Sequence, residues 1–338
     1  GMQVLYDTVT YLSHIGSPTG VIPSYGEEGI FALNDSTMYF QLRAPYIGFA
    51  YIKGDFSDWY LKPEYQMNKS PNGQFFWLEI TGLDKNTEYG FQYAIEQDYG
   101  YLSMADPYCE KVLNPNDDPY IPASVYPNLK TYPYGLTQEI VGVFQIEETP
   151  YVWNTPSFTK PKKEELIIYE LLVRDFHQDH SYNGVIEKLD YLKSLGTNAI
   201  ELLPVMEFEG NESWGYNPSF MMAPDKYYGP KNELKRLIDS CHSKGIAVIL
   251  DIALNHSFGQ NPMVQMYFDQ SAGQWGQPTA QSPWFNELPK HDFNVGYDYN
   301  HESAATKYYA KKVIGHWVEE YKVDGYRFDL SKGFTQNN

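Results

Sequence analysis

Cysteine is nearly absent: Cys109 and Cys241 are the only two in 338 residues. Two cysteines without CxxC spacing build neither a disulfide framework nor a zinc site, so both are expected as buried free thiols. Basic residues are scarce too. Lys and Arg total 25 against 43 Asp and Glu, a formal net charge of −18. No basic stripe is present to neutralise phosphates, so no nucleic-acid partner is expected. An anionic membrane surface would repel such a chain. Long apolar runs are missing as well. Leu171-Leu172-Val173 and Ala247-Val248-Ile249-Leu250 are far too short to cross a bilayer. No basic-then-apolar leader opens the chain. Gly1 ahead of Met2 reads as a scar of tag removal. With Met2 as the native start, a cytoplasmic protein is expected, with a secreted or periplasmic one as the alternative.

About 42% of residues are apolar, enough for a real core, and the length suits two domains. Aromatic residues reach 17% and Tyr alone counts 31. Tyrosine suits strand positions and also suits stacking under a neutral polyol, which this charge balance permits. Composition does not choose between the two.

The first third reads as short strands between turns. Met38–Arg43, Ile47–Ile52, Phe75–Ile80 and Tyr89–Glu96 are the strand candidates, with Pro71-Asn72-Gly73 and Asp84-Lys85-Asn86 as turns. Short strands without helical period predict an antiparallel sandwich over 1–115. Residues 116–163 are rich in Pro and poor in period, which predicts a connecting segment with one strand at Glu139–Ile146. From 164 to 338 the pattern alternates. Strands are predicted at Leu166–Val173, Ala199–Leu203, Ile246–Leu250 and Val323–Leu330. Helices are predicted at Val185–Leu195, Asn232–Lys244 and Ser303–Tyr321. Apolar strands alternating with helices imply a parallel sheet covered by helices.

Each of these strands ends in a polar cluster, which is where an α/β barrel carries its chemistry. The clusters are Arg174-Asp175, Trp214-Gly215-Tyr216-Asn217-Pro218, Asp251 through Asn255-His256, and Asp324-Gly325-Tyr326-Arg327-Phe328-Asp329. Strand alternation places Arg327 and Asp329 on one face. A guanidinium beside a carboxylate fixes its direction and favours its charge. A positioned carboxylate is the nucleophile that a retaining glycosidase requires.

Taken in order, these four stretches resemble the α-amylase superfamily, glycoside hydrolase family 13. Asp251 to His256 is similar to its first conserved region, and Gly325 to Asp329 to its second. Residues 54–59 (Gly-Asp-Phe-Ser-Asp-Trp), Phe75–Ile80 and Ala105-Asp106-Pro107-Tyr108 resemble carbohydrate-binding module family 48, an immunoglobulin-like sandwich found in pullulanases, isoamylases and branching enzymes. The resemblance implies a β-sandwich followed by the first half of a (β/α)8 TIM barrel, strands one to four.

It also implies the roles. Asp329 would be the nucleophile and Arg327 its orienting partner. Tyr216 would stack under the sugar, His256 would hydrogen-bond it, Asp251 would organise the first region, and Lys332 would touch the leaving side. Asn255 corresponds to a calcium ligand in many amylases; otherwise no cofactor is implied. Trp59 is read as sandwich core. The implied partner is an α-glucan. The family's acid/base glutamate follows the fifth strand and its third carboxylate the seventh. The implied enzyme is therefore incomplete within these residues and expected to be inactive alone. Its open barrel would be covered by the C-terminal half or by a second copy. Two other readings stand beside a hydrolase: a 1,4-α-glucan branching enzyme, and a non-catalytic glucan-binding protein.

Overall fold

The computed structural model describes residues 16–97 and 100–336, so the Gly1-Met2 start lies outside the described residues. The chain divides into two units. One runs up to Pro115 and includes Lys130–Thr149; the other comprises Asn116–Leu129 and the residues from Pro150 onward. The segment 116–163, expected as a connector of its own, is thus shared between the two.

The first unit is two antiparallel sheets. One has the order β1 (Gly29–Asn34), β2 (Thr37–Arg43), β5 (Phe75–Thr81), β4 (Asn68–Lys69). The other runs β3 (Ala50–Gly54), β6 (Tyr89–Gln97), β9 (Val141–Phe144), β8 (Val112–Leu113), with β7 (Gly100–Met104) also on β6. Phe40 of the first sheet meets Phe91 and Phe144 of the second with ring centroids 5.3 and 5.5 Å apart. Both are edge-on contacts of the kind aromatic pairs favour.

The motif at 54–59 is structural. A side chain at Gly54 would come within 2.3 Å of the Gly90 carbonyl, so the strands approach only because it has none. Asp55 accepts from the Trp59 indole at 3.0 Å and from the Gly90 amide at 2.7 Å. Trp59 is 8% exposed, a core residue as expected. Asp106 accepts from the Tyr93 hydroxyl and the Tyr108 amide. Cys109 is fully buried, and burial pushes its thiol far above the usual range.

The second unit is built on a parallel sheet in the order β10 (Ile168–Leu171), β11 (Ala199–Leu202), β14 (Ala247–Ile252), β17 (Gly325–Phe328). Val248, Leu250 and Ile252 alternate toward one face and are fully buried. Helix α4 (Lys231–Ser243) buries Leu234, Leu237, Ile238 and Cys241, the stripe its sequence foretold. Helix α6 (Ala304–Glu319) buries Ala305, Tyr309, Val313 and Trp317 at steps of four. The expected helix from Val185 to Leu195 is instead two turns, α2 (Tyr182–Glu187) and α3 (Leu189–Ser194), broken at Lys188 (φ −101°, ψ 1°). A hairpin of β12 (Met206–Phe208) and β13 (Pro218–Pro224) stands after β11. Strands β10 and β17 each have a strand partner on one side only among the described residues.

Candidate active site

Register sets the site. Asp251 lies opposite Arg327, and the Asp329 amide continues the ladder by donating to Ile252 O at 3.1 Å. Alternation then brings Asp251, Arg327 and Asp329 to one face. Arg327 Nη1 sits 3.1 and 3.0 Å from the two oxygens of Asp251 and 2.6 Å from Asp329 Oδ1. Asp251 is fully buried, whereas the Asp329 side chain keeps 25% exposure. One carboxylate is therefore sealed as an anchor and the other left accessible. Burial lifts the Asp251 carboxyl above its ordinary range, against the pull of Tyr216 and Arg327. After Asp329 the chain turns sharply through Leu330 at φ 41°, a conformation a leucine adopts only at some cost.

Tyr216 comes from the loop of the β12–β13 hairpin. Its hydroxyl donates to Asp251 Oδ2 at 2.6 Å, which fixes the ring beside the carboxylates. Gly215 has φ 87°, and a Cβ there would sit 2.7 Å from Pro204, so the turn that presents Tyr216 requires glycine. The loop is tied at its sides. Asp117 accepts from the Gly210 amide at 3.2 Å, and Glu209 accepts from the Gln260 amide at 2.6 Å.

His256 is placed differently from the expectation of a direct sugar contact. It is 2% exposed, with Nδ1 2.8 Å from Asn255 Oδ1 and Nε2 2.8 Å from the Tyr216 carbonyl. Both ring nitrogens face protein oxygens, and a neutral ring can donate to only one of them. Burial meanwhile lowers the pKa of the ring. In this arrangement His256 holds the Tyr216 loop and leaves no nitrogen for a ligand. Asn255 is fully buried; its amide nitrogen donates to Leu330 O at 3.2 Å while its oxygen faces His256. Lys332 itself is exposed, in the turn Ser331–Phe334 whose Gly333 is buried.

Two features escaped the sequence reading. Glu201 of β11 shares the face of Asp251 and lies in register with Glu170 of β10. Its pKa is raised by burial, then by Asp251 and Glu170. Only the register reveals this, since each glutamate reads alone as an exposed strand residue. The second is His177, which stands between Asp179 (Nδ1, 3.5 Å) and Glu187 (Nε2, 3.9 Å). The Asp179 amide donates to Nδ1 at 3.3 Å, and one ligand atom from each of the three side chains lies within 4.8 Å of the others.

Residues 174–338 match the family described as alpha amylase, catalytic domain. Malto-oligosyltrehalose trehalohydrolase of Saccharolobus solfataricus is 30% identical over 231 residues, which are 67% of this chain and 36% of that protein. The 1,4-alpha-glucan branching enzyme of Bacillus subtilis is 26% identical over 333 residues, 94% of this chain and 48% of that protein. Among solved structures, type I pullulanase of Bacillus subtilis, in complex with maltose, superposes with a TM-score of 0.67 at 24% identity. It covers 91% of this chain and 43% of that one. This chain spans between a third and a half of the length of these curated relatives.

Proposed function

Residues 174–338 belong to the α-amylase catalytic-domain family, and from that premise we propose that this chain carries the nucleophile side of a retaining enzyme acting on α-glucan bonds. The observation that carries the reading is Arg327 bridging a sealed Asp251 and an accessible Asp329 at the ends of adjacent parallel strands. Asp329 attacks the anomeric carbon while Arg327 fixes its direction. Asp251 holds both Arg327 and Tyr216, and the tyrosine ring stacks under the sugar. His256 acts through the Tyr216 loop, and Lys332 serves the leaving side only if the turn at 331–334 moves inward. The parallel sheet is the first half of a barrel, and the two antiparallel sheets are an immunoglobulin-like module of the carbohydrate-binding type.

The acid/base step needs a second carboxyl group about 5–5.5 Å from the nucleophile in a retaining site. Asp251 is sealed against Arg327, and Glu201 lies one register layer below it, so neither can protonate a leaving oxygen. The chain taken alone is therefore inactive, and a protein that also supplies the missing glutamate is the active form. Hydrolysis sends the glycosyl group to water, and a branching transferase sends it to a sugar hydroxyl with the same residues. A purely glucan-binding role is the remaining reading.

The test is Asp329→Asn in the protein that includes the rest of the barrel, assayed on starch, glycogen and pullulan. Turnover should fall by at least ~10³-fold, because a covalent route has no substitute of similar barrier. Turnover kept within tenfold of the parent would overturn the assignment.

A further inference from the structure

Sequence patterning marks Arg174-Asp175 just past the end of β10, and the proposed function leaves the pair without a task. We propose that Arg174 is a positioning residue: its guanidinium holds the 209–217 loop and so sets where the Tyr216 ring stands. For the role of that ring the inference rests on the proposed function.

The loop does not rest on packing of its largest side chain, since Trp214 is 62% exposed. Its neck is closed from within. The Glu209 amide donates to Asn217 O at 3.2 Å, and Asn217 Nδ2 donates to Glu209 O at 2.8 Å. Its tip is shaped by Ser213, whose Oγ accepts from the Gly215 amide at 2.9 Å and donates to Asn217 Oδ1. Arg174 Nη1 donates to the Ser213 carbonyl at 3.1 Å. His256 Nε2 faces the Tyr216 carbonyl at 2.8 Å. The two carbonyls that flank Trp214-Gly215 are thus met from outside the loop by segments that follow β10 and β14. Between these two holds the chain makes the turn that presents Tyr216.

The guanidinium can serve the loop because it is itself fixed. Its Nε and Nη2 donate to the two oxygens of Asp175 at 2.7 and 3.1 Å, a planar fork that leaves Nη1 for Ser213. The Arg174 side chain is 13% exposed and that of Asp175 is 58%. The carboxylate has water within reach and does not depend on the arginine for solvation, so the pairing serves to orient the arginine. An ammonium offers one nitrogen on a flexible stem and would reach only one of the two partners.

The first experiment follows hydrogen–deuterium exchange by mass spectrometry in the 338-residue chain. Arg174→Lys should speed exchange of peptides covering 209–217 about tenfold or more and leave those of β14 unchanged. Asp175→Asn, at an exposed position, guards against a misfolded Arg174 variant and should loosen the same peptides by releasing the fork. Unchanged loop exchange in either variant would overturn the proposal. So would faster exchange across the whole second unit, which would make the pair a matter of stability alone. The second experiment is a double-mutant cycle in the form of the protein that turns over glucan. Arg174→Lys should lower kcat/KM about tenfold or more, yet by less than about threefold in a Tyr216→Ala background, because a residue that acts through the ring then has nothing left to place. Equal losses in the two backgrounds would also overturn it. The two readings fail separately, since loop exchange is read without turnover. An Asp329→Asn variant that keeps its turnover removes the proposed function and leaves the hold of Arg174 on the loop in place. A loop indifferent to Arg174 removes only this inference.

Discussion

At the scale of single residues, the site divides into groups that the ligand would meet and groups that hold them. Tyr216 belongs to both sets. Its hydroxyl satisfies a carboxylate with no solvent access, and a charge-assisted bond to a buried acceptor is worth about 1.5–3 kcal/mol. Tyr216→Phe should therefore lower the unfolding free energy by ~1–3 kcal/mol while keeping the ring, measured from denaturant midpoints. The loop itself should stay, because His256 grips the Tyr216 backbone and not its side chain. An unchanged midpoint would mean that Arg327 alone satisfies Asp251. Motif order made Asp251, Arg327 and Asp329 legible as candidates, and strand alternation made the shared face of Arg327 and Asp329 legible; that Asp251 joins them follows only from the β14–β17 register. The inward engagement of His256 was not legible, since a ring's hydrogen-bond partners depend on a loop forty residues away.

Among the elements, regular period was read well and irregular ones poorly. The stripe of α4 and the apolar strands β11 and β14 follow directly from spacing. The strand expected at Ile47–Ile52 begins instead at Ala50 and runs to Gly54, its register fixed by pairing with β6. Strand β13 begins and ends in proline, which reads as loop until its pairing with β12 is known.

That hairpin is held by a buried cluster. Lys226 is 3.3 Å from Asp118 and ion-pairs closely with Glu207, with Asp225 beside them. One ammonium serves three buried carboxylates. Burial raises Glu207 from its ordinary 4.5 to about 7, with Lys226 opposing and Asp118 assisting. A carboxyl raised on folding stabilises the protein below its unfolded value, and that contribution is lost as pH rises through the folded value. This unit should therefore lose stability as pH rises from 4.5 towards 7 through Glu207. Glu207→Gln should flatten that slope in denaturation series at pH 5 and pH 8. Parallel slopes for parent and variant would show that Glu207 is ionised throughout.

For the molecule as a whole, the sheet of the second unit is the part with open edges among the described residues. Ile168 is 47% exposed and Phe328 40%, both on outer strands with one strand-free side among the described residues. Apolar parallel strands are ordinarily covered on both faces, and an open strand edge invites pairing. The chain alone should therefore self-associate; light scattering after size exclusion should give a dimer or larger species, and a stable monomer would mean these strands need less cover than argued. The central claim, that Asp329 is a covalent nucleophile, is tested most directly by trapping. The form of the protein that turns over glucan is treated with a 5-fluoro-α-glucosyl fluoride, digested, and its peptides mapped by mass spectrometry. A glycosyl adduct on the Asp329 side chain is the predicted result; an adduct on another carboxylate, or none while glucan turnover persists, would contradict the account.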